Sequence, residues 1–291
     1  MDDYGGDGCC LECCSEQEEE EELIHPYHCS EPDLVFHGDE NTRLFFGVEL
    51  ETENYQDRGA AAEELYAQSQ SEELFYLSED CSLDNGIEII TQPCTLDFHL
   101  NKFPWGKIID IVLSHGGKSE SGKHAAMHIH LSKTFFRSSY PPKVTYDLYE
   151  LRFAYLFEKF RTELLKFART SSYLANRSAQ PKELKSLRKE ARETAQRSPL
   201  YYGKYQAVNL RHDETIEVRI FRGTLRTTDI KASLELVDFL AHLVTKTSNQ
   251  TLQRLSWEGL VKMIDPARYT FLLPAISKYV TTGGQNIDSF N

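Results

Sequence analysis

The chain has 291 residues, 40% hydrophobic and 11% aromatic, with 45 Asp and Glu against 32 Lys and Arg for a formal net charge of −13. This composition supports a sizeable core and excludes wholesale disorder, a collagen-like repeat and a small disulfide scaffold. The acidity is local: residues 1–40 hold 14 acidic side chains and no Lys or Arg, which leaves +1 for residues 41–291, so the body has little electrostatic drive toward nucleic acid.

Residues 1–40 read as an acidic, Cys/His-rich tail ahead of a body spanning 41–291. The run Glu18 to Glu22 repels itself and stays solvated. Around it, Cys10-x-x-Cys13 followed by His25-x-x-His28 approaches the spacing of a tetrahedral zinc site, although the glutamate run inside that loop counts against one. The first residues lack the basic and apolar regions of a secretory signal. No apolar run approaches the roughly 20 residues that span a bilayer. Seven cysteines, five of them before residue 30, do not read as a disulfide framework. The expectation is a cytoplasmic protein without a membrane partner.

The body opens with a strand over residues 44–51, then a short helix over 60–68. A second strand, 87–91, is ended by Pro93. A helix over 98–114 is stopped by Gly116-Gly117. A third strand covers 127–132. After Pro141-Pro142 comes the longest periodic stretch, where Phe153, Phe157, Phe160, Leu164 and Phe167 form one apolar stripe of an amphipathic helix. Residues 182–197 read as a charged helix or excursion. Residues 207–210 and 216–221 form a hairpin through Arg211-His212-Asp213-Glu214, a helix covers 229–245, and the chain frays beyond 281.

Alternation along these strands separates an apolar face from a polar one. Phe46, Val48 and Leu50 oppose Glu49 and Glu51; Met127, Ile129 and Leu131 oppose His128 and His130; Ile216, Val218 and Ile220 oppose Glu217 and Arg219; Glu88 lies between Ile87 and Ile89. A plain solvent face mixes Lys, Thr, Ser and Gln, whereas these strands repeat carboxylate and imidazole. Brought together on one sheet, the four carboxylates repel, and divalent cations relieve the repulsion. Oxygen-rich sites with some imidazole suit Mg²⁺ or Mn²⁺. The pattern therefore implies an acidic metal cluster on the concave side of an antiparallel sheet, with Arg219 able to hold an anion.

Several metal ions beside an arginine are what phosphoryl transfer from a nucleoside triphosphate needs. A P-loop is excluded, because Val112 stands where the first glycine before Gly117-Lys118-Ser119 belongs. Neither H-E-x-x-H nor G-x-S-x-G occurs, and neither Cys81 nor Cys94 has an evident activating partner. The Gly/Ser/Lys stretch 116–123, ending at Lys123, reads as a loop able to close over substrate. Arg169, ending the long helix, is a candidate for phosphate or a substrate carboxylate.

The strings Phe46-Gly47-Val48-Glu49-Leu50-Glu51, Asp80-x-Ser82 with Gly86-Ile87-Glu88-Ile89, His128-Ile129-His130-Leu131-Ser132, and Asn209 with Thr215-Ile216-Glu217-Val218-Arg219-Ile220-Phe221-x-Gly223-Thr224 together resemble the amidoligase family. That family belongs to the carboxylate–amine ligase superfamily of glutamine synthetase and glutamate–cysteine ligase. The resemblance covers about residues 44–250. It implies an α+β fold, a curved antiparallel sheet with helices on its convex face and ATP and divalent metals on its concave face. By that resemblance Glu49, Glu51, Glu88, Glu217 and His128 bind metal, His130 faces the ATP phosphates and Arg219 meets the transferred phosphate; Lys123 and Arg169 are further candidates for binding the nucleotide. It further implies that ATP phosphorylates a carboxylate and an amine then displaces phosphate, the acid being a small molecule, a peptide or a protein side chain. Members with a Cys-rich lead-in add weight to zinc at Cys10, Cys13, His25 and His28. Two other readings fit the same residues: a metal-dependent hydrolase or nuclease, and a non-catalytic nucleotide- or partner-binding module.

Overall fold

A computed structural model describes residues 23–26, 32–120, 124–138, 147–170 and 207–281. Six strands, β1 (Phe46–Thr52), β2 (Phe75–Ser78), β3 (Ile87–Thr91), β4 (Ala126–Ser132), β5 (Val208–Asn209) and β6 (Thr215–Arg222), form one open antiparallel sheet in the order β2-β3-β1-β4-β6-β5. Helices α1 (Arg58–Gln68), α2 (Leu96–Asn101), α3 (Trp105–Ser114), α4 (Lys133–Ser138), α5 (Asp147–Lys159), α6 (Arg161–Ala168), α7 (Thr227–Lys246), α8 (Asn249–Arg254), α9 (Trp257–Val261) and α10 (Leu272–Ile276) complete a mixed α/β architecture.

The apolar faces predicted from alternation are the buried ones. Phe46, Val48, Leu50, Ile87, Ile89, Ile129, Leu131, Ile216 and Val218 are all inaccessible, and they join one core with Trp105, Ile108 and Val112 of α3 and Leu234, Val237 and Ala241 of α7. Placing sheet and helix so that each covers the other's apolar side is what makes a two-layer domain stable. The stripe Phe153, Phe157, Phe160, Leu164 and Phe167 is likewise buried, but the helix that carries it breaks at Phe160 into α5 and α6.

Helix α7 is buried nearly all round, as expected of a helix with a layer on each side. Its polar residues are met by the carboxyl-terminal segment. The hydroxyl of Tyr269 donates to Asp238 Oδ2 at 2.8 Å, beside Arg268 Nη2 at 3.0 Å. Glu235 accepts the backbone N–H groups of Thr270, Phe271 and Leu272 at 3.1, 2.8 and 2.7 Å. The Tyr279 hydroxyl lies 3.0 and 3.1 Å from the two oxygens of Asp229.

Several local expectations are corrected. The helix expected over 98–114 is two helices. Thr95 caps the first, accepting from Phe98 N at 3.4 Å, and Pro104, which has no N–H to donate, precedes the start of the second at Trp105. Gly116 ends α3 at φ +75°, a conformation open to glycine. Strand β2, helix α4 and the three short helices after α7 have no counterpart in the expectations from sequence. Residues 182–197 and the end beyond 281 lie outside the described residues.

Segments before residue 41 pack on this body. His25 adds a parallel bridge to the outer edge of β2, with His25 N donating to Leu77 O at 2.8 Å and Glu79 N to His25 O at 2.9 Å. The buried Gln92 side chain accepts from Val35 N at 3.1 Å and donates to Asp33 O at 3.2 Å. These contacts cover a strand edge that would otherwise present unpaired main-chain groups.

Candidate functional site

Strand register assembles the polar face. Glu51 stands opposite Glu88 between β1 and β3, Glu49 opposite His128 and Gly47 opposite His130 between β1 and β4, His130 opposite Glu217 between β4 and β6, and Asn209 opposite Glu217 between β5 and β6. Cross-strand neighbours stand about 5 Å apart, so every metal-site residue expected from the sequence of the body lands in one contiguous patch.

The contacts are close. His128 Nδ1 donates to Glu49 Oε2 at 2.9 Å, with Glu217 Oε1 3.7 Å from the same nitrogen and Glu51 Oε1 3.8 Å from Nε2. His130 Nε2 lies 2.8 Å from Glu49 Oε1 but out of line for a hydrogen bond, leaving that buried nitrogen unsatisfied. Glu49, His128 and Glu217 bring ligand atoms within 4.8 Å of one another, as do Glu51, Glu88 and His128. The two triads overlap at His128, whose neutral ring can ligate one cation, and their oxygen-rich donor set fits Mg²⁺ or Mn²⁺.

Register slips between Met127 and Ile129, so that Arg219 and Ile220 together oppose His128. Such a bulge redirects side chains locally. It brings both Ile220 and Phe221 into the core, where strict alternation would expose one of them, and Arg219 lies against Glu217 Oε1.

Burial and crowding set the charges. Burial raises the Glu88 pKa to about 9, helped by Glu49, Glu51 and Asp80. Glu51 is raised mainly by burial. For Glu217, burial is outweighed by the His212 hydrogen bond and by His130 and Arg219, which hold its pKa at about 2. Glu49 is also held well below the usual range, because His130 and His128 overcome its burial. The site thus divides into carboxylates already neutralised by cationic neighbours and carboxylates that repel one another.

Sequence reasoning missed three features. His212 Nε2 donates to Glu217 Oε2 at 3.1 Å, and Asn209 Nδ2 donates to the same oxygen at 2.8 Å. His212 sits in the turn between β5 and β6, where no periodicity points to it; a histidine five residues before Glu217 was the available signal. Lys133 fixes that turn by donating from its buried ammonium to the carbonyls of Leu210 and His212. Glu53, Asp84 and His124 form a further group, with the Glu53 carboxylate buried and 3.7 Å from His124 Nδ1.

Arg169 lies in a separate group with Glu120, Arg226 and Asp229. This group adjoins the acidic face: Ser119 Oγ donates to Glu51 O at 2.8 Å, and a Cβ on Gly223 would stand 2.1 Å from that hydroxyl. Lys123, Cys10, Cys13 and His28 lie outside the described residues, while His25 Nε2 faces Glu72 Oε1 at 2.7 Å. Cys81 is disulfide-bonded. The Cys94 thiol is buried and pushed up to about 12. Among the described residues no helix is long and apolar enough to cross a membrane. No family model matches the chain, and no curated protein is a significant match to it.

Proposed function

We propose that this chain is an ATP-dependent carboxylate–amine ligase, forming an amide at a multi-Mg²⁺ (or Mn²⁺) site on the polar face of the sheet. The observation that carries the reading is the convergence of Glu49, Glu51, Glu88 and Glu217 with His128, His130 and Arg219 on neighbouring antiparallel strands. Glu49 and Glu51 crowd Glu88, and divalent cations would relieve the repulsion that, with burial, raises Glu88.

In this reading Glu49, Glu51, Glu88, Glu217 and His128 hold the metals, which supply charge neutralisation for the ATP phosphates. Arg219 holds the negative charge of the transferred phosphoryl group, and His130 donates to a phosphate oxygen. The γ-phosphoryl passes to an oxygen of the acid, ADP leaves, and the acyl phosphate is attacked by the amine nitrogen. The bond from acyl carbon to the phosphate oxygen breaks, inorganic phosphate departs, and the amine loses a proton. No protein nucleophile is needed; positioning and electrostatics carry the catalysis. The reading includes a glutamine-synthetase-like sheet with helices on its convex side, and a cytoplasmic site of action.

The test is phosphate release from ATP and Mg²⁺ with pooled amino acids and amines, comparing the wild type with Glu49→Gln. Amine-dependent release that disappears in the variant supports the ligase. Equal release by both proteins overturns the metal assignment, and metal-dependent phosphodiester cleavage without any amine favours the hydrolase.

A further inference from the structure

Three connections meet at one end of the sheet. Glu53 follows β1, Asp84 lies between β2 and β3, and His124 stands two residues before β4. These three bring two carboxylate oxygens and an imidazole nitrogen within 4.8 Å of one another, and none of them belongs to the two triads of the polar face. Main-chain bonds fix the connections side by side. Glu53 N donates to Lys118 O and Lys118 N to Glu53 O, each at 2.8 Å, and Asn54 N donates to Asp84 O at 2.8 Å.

Glu53 is the unusual member. Its side chain is wholly inaccessible, whereas that of His124 is 48% exposed and Asp84 is also exposed. A carboxylate shut away from water needs short charge-assisted hydrogen bonds, about 2.7–2.9 Å, or a cation at contact distance. Glu53 has neither among the described residues. It accepts His124 N at 3.3 Å and Asp84 N at 3.4 Å, and His124 Nδ1 stands 3.7 Å from Oε2. The buried acid is thus held loosely, behind two metal-ligating groups that are open to solvent.

We propose that Glu53, Asp84 and His124 bind one divalent transition-metal ion, separate from the polar-face metals, that cross-links the three connections. Two carboxylates balance a divalent charge, and a neutral imidazole adds a nitrogen donor. One nitrogen and two oxygens, with water completing the shell, suit Mn²⁺ or Zn²⁺, and the imidazole favours either over Mg²⁺. The two exposed ligands close on the ion while Glu53 stays in place. The residues flanking this site also touch Glu51: Ser119 Oγ donates to its carbonyl at 2.8 Å and Ala126 N to its Oε2 at 2.6 Å. An ion at Glu53 therefore steadies a polar-face carboxylate without ligating it. The site does not depend on the ligase reading.

The experiment counts Mn²⁺ bound to the full chain, from the electron paramagnetic resonance of the free ion, in wild type, His124→Ala and Glu49→Gln/Glu217→Gln. Mn²⁺ is the probe because thiolates, including those of the amino-terminal cysteines, select softer ions. His124→Ala, a change at an exposed position, is expected to weaken one site at least about 100-fold, more than the loss of an outer-shell partner costs. Glu49→Gln/Glu217→Gln is expected to keep that ion. Equal count and affinity in wild type and His124→Ala overturns the proposal, as does displacement of the ion by an equal concentration of Mg²⁺. Hydrogen exchange gives a second readout that needs no polar-face variant. With Mn²⁺ at about ten times its Kd, exchange of the Lys118 amide is expected to slow about tenfold in wild type and not in His124→Ala; equal exchange in the two proteins overturns the site.

Discussion

Replacing Glu88 by Gln should make the metal-free protein more stable and the metal-bound protein less so. The Glu88 carboxylate makes no hydrogen bond or ion pair among the described residues, and burial together with Glu49, Glu51 and Asp80 raises its pKa from 4.5 to about 9. A raised acid favours folding fully below its unfolded pKa, and that contribution is lost as pH climbs toward the folded value. At about 1.4 kcal/mol per unit, the wild type has lost about 3 kcal/mol relative to a neutral side chain by pH 7 and about 6 kcal/mol by pH 9. Solvent at its partly exposed carboxylate trims these to upper values. For a chain of this size the neutral-pH gain corresponds to a rise in Tm of about 6–10 °C. With saturating Mg²⁺ the order reverses, because a ligand and its charge are gone and binding no longer stabilises the fold as strongly. Urea denaturation followed by circular dichroism, with EDTA or Mg²⁺ at several pH values, gives both halves. A Glu88→Gln protein that is no more stable in EDTA, or that shows the wild-type pH slope between 5 and 9, would refute the reasoning.

Arg219→Ala should lower kcat about 100-fold while changing ATP affinity less than about threefold, since its charge meets the transferred group more than the bound nucleotide; equal losses in steady-state kinetics and nucleotide titration would show a binding role only. His99 is fully buried with Nε2 donating to Phe46 O at 3.0 Å, and burial lowers its pKa to about 4. Its depressed pKa means that stability falls as pH drops from 6.5 toward 4, by about 2 kcal/mol between pH 7 and 5. In His99→Leu that contribution should vanish from the pH dependence of the denaturation midpoints, leaving the opposing slope of Glu88 and the contribution of His242, which is also lowered by burial. Glu235→Ala should cost about 3 kcal/mol by stranding three N–H groups at the start of α10, and a midpoint within 0.5 kcal/mol of wild type, the scale of an ordinary surface change, would contradict the role given to it.

What the sequence made legible was what repeats. Alternation at Glu49/Glu51, His128/His130 and Glu217/Arg219 located the polar face before any pairing was known, because a side chain's face in a strand follows from its position alone. The stripe from Phe153 to Phe167 was legible for the same reason. Pairing was not: the slip that sets Arg219 and Ile220 against His128 depends on which β4 residue each meets. His212 reaches Glu217 through turn geometry, and Glu120 meets Arg169 and Arg226 from positions 49 and 106 residues away in sequence. Contacts of that kind leave no period to count.

The carboxyl-terminal segment meets α7 at three points that run in opposite chain directions. Asp238 takes Arg268 and Tyr269, Glu235 takes the amides of residues 270–272, and Asp229 takes Tyr279. These work like the teeth of a key. Sliding the segment by one helical turn would misalign all three at once, stripping Glu235 of its three amides, Asp238 of Arg268 and Tyr269, and Asp229 of Tyr279. The segment is therefore docked or released as a unit. Because Asp229 also borders Arg169 and Arg226, its release would be felt at the arginine pair, which ties the far end of the chain to the edge of the acidic face.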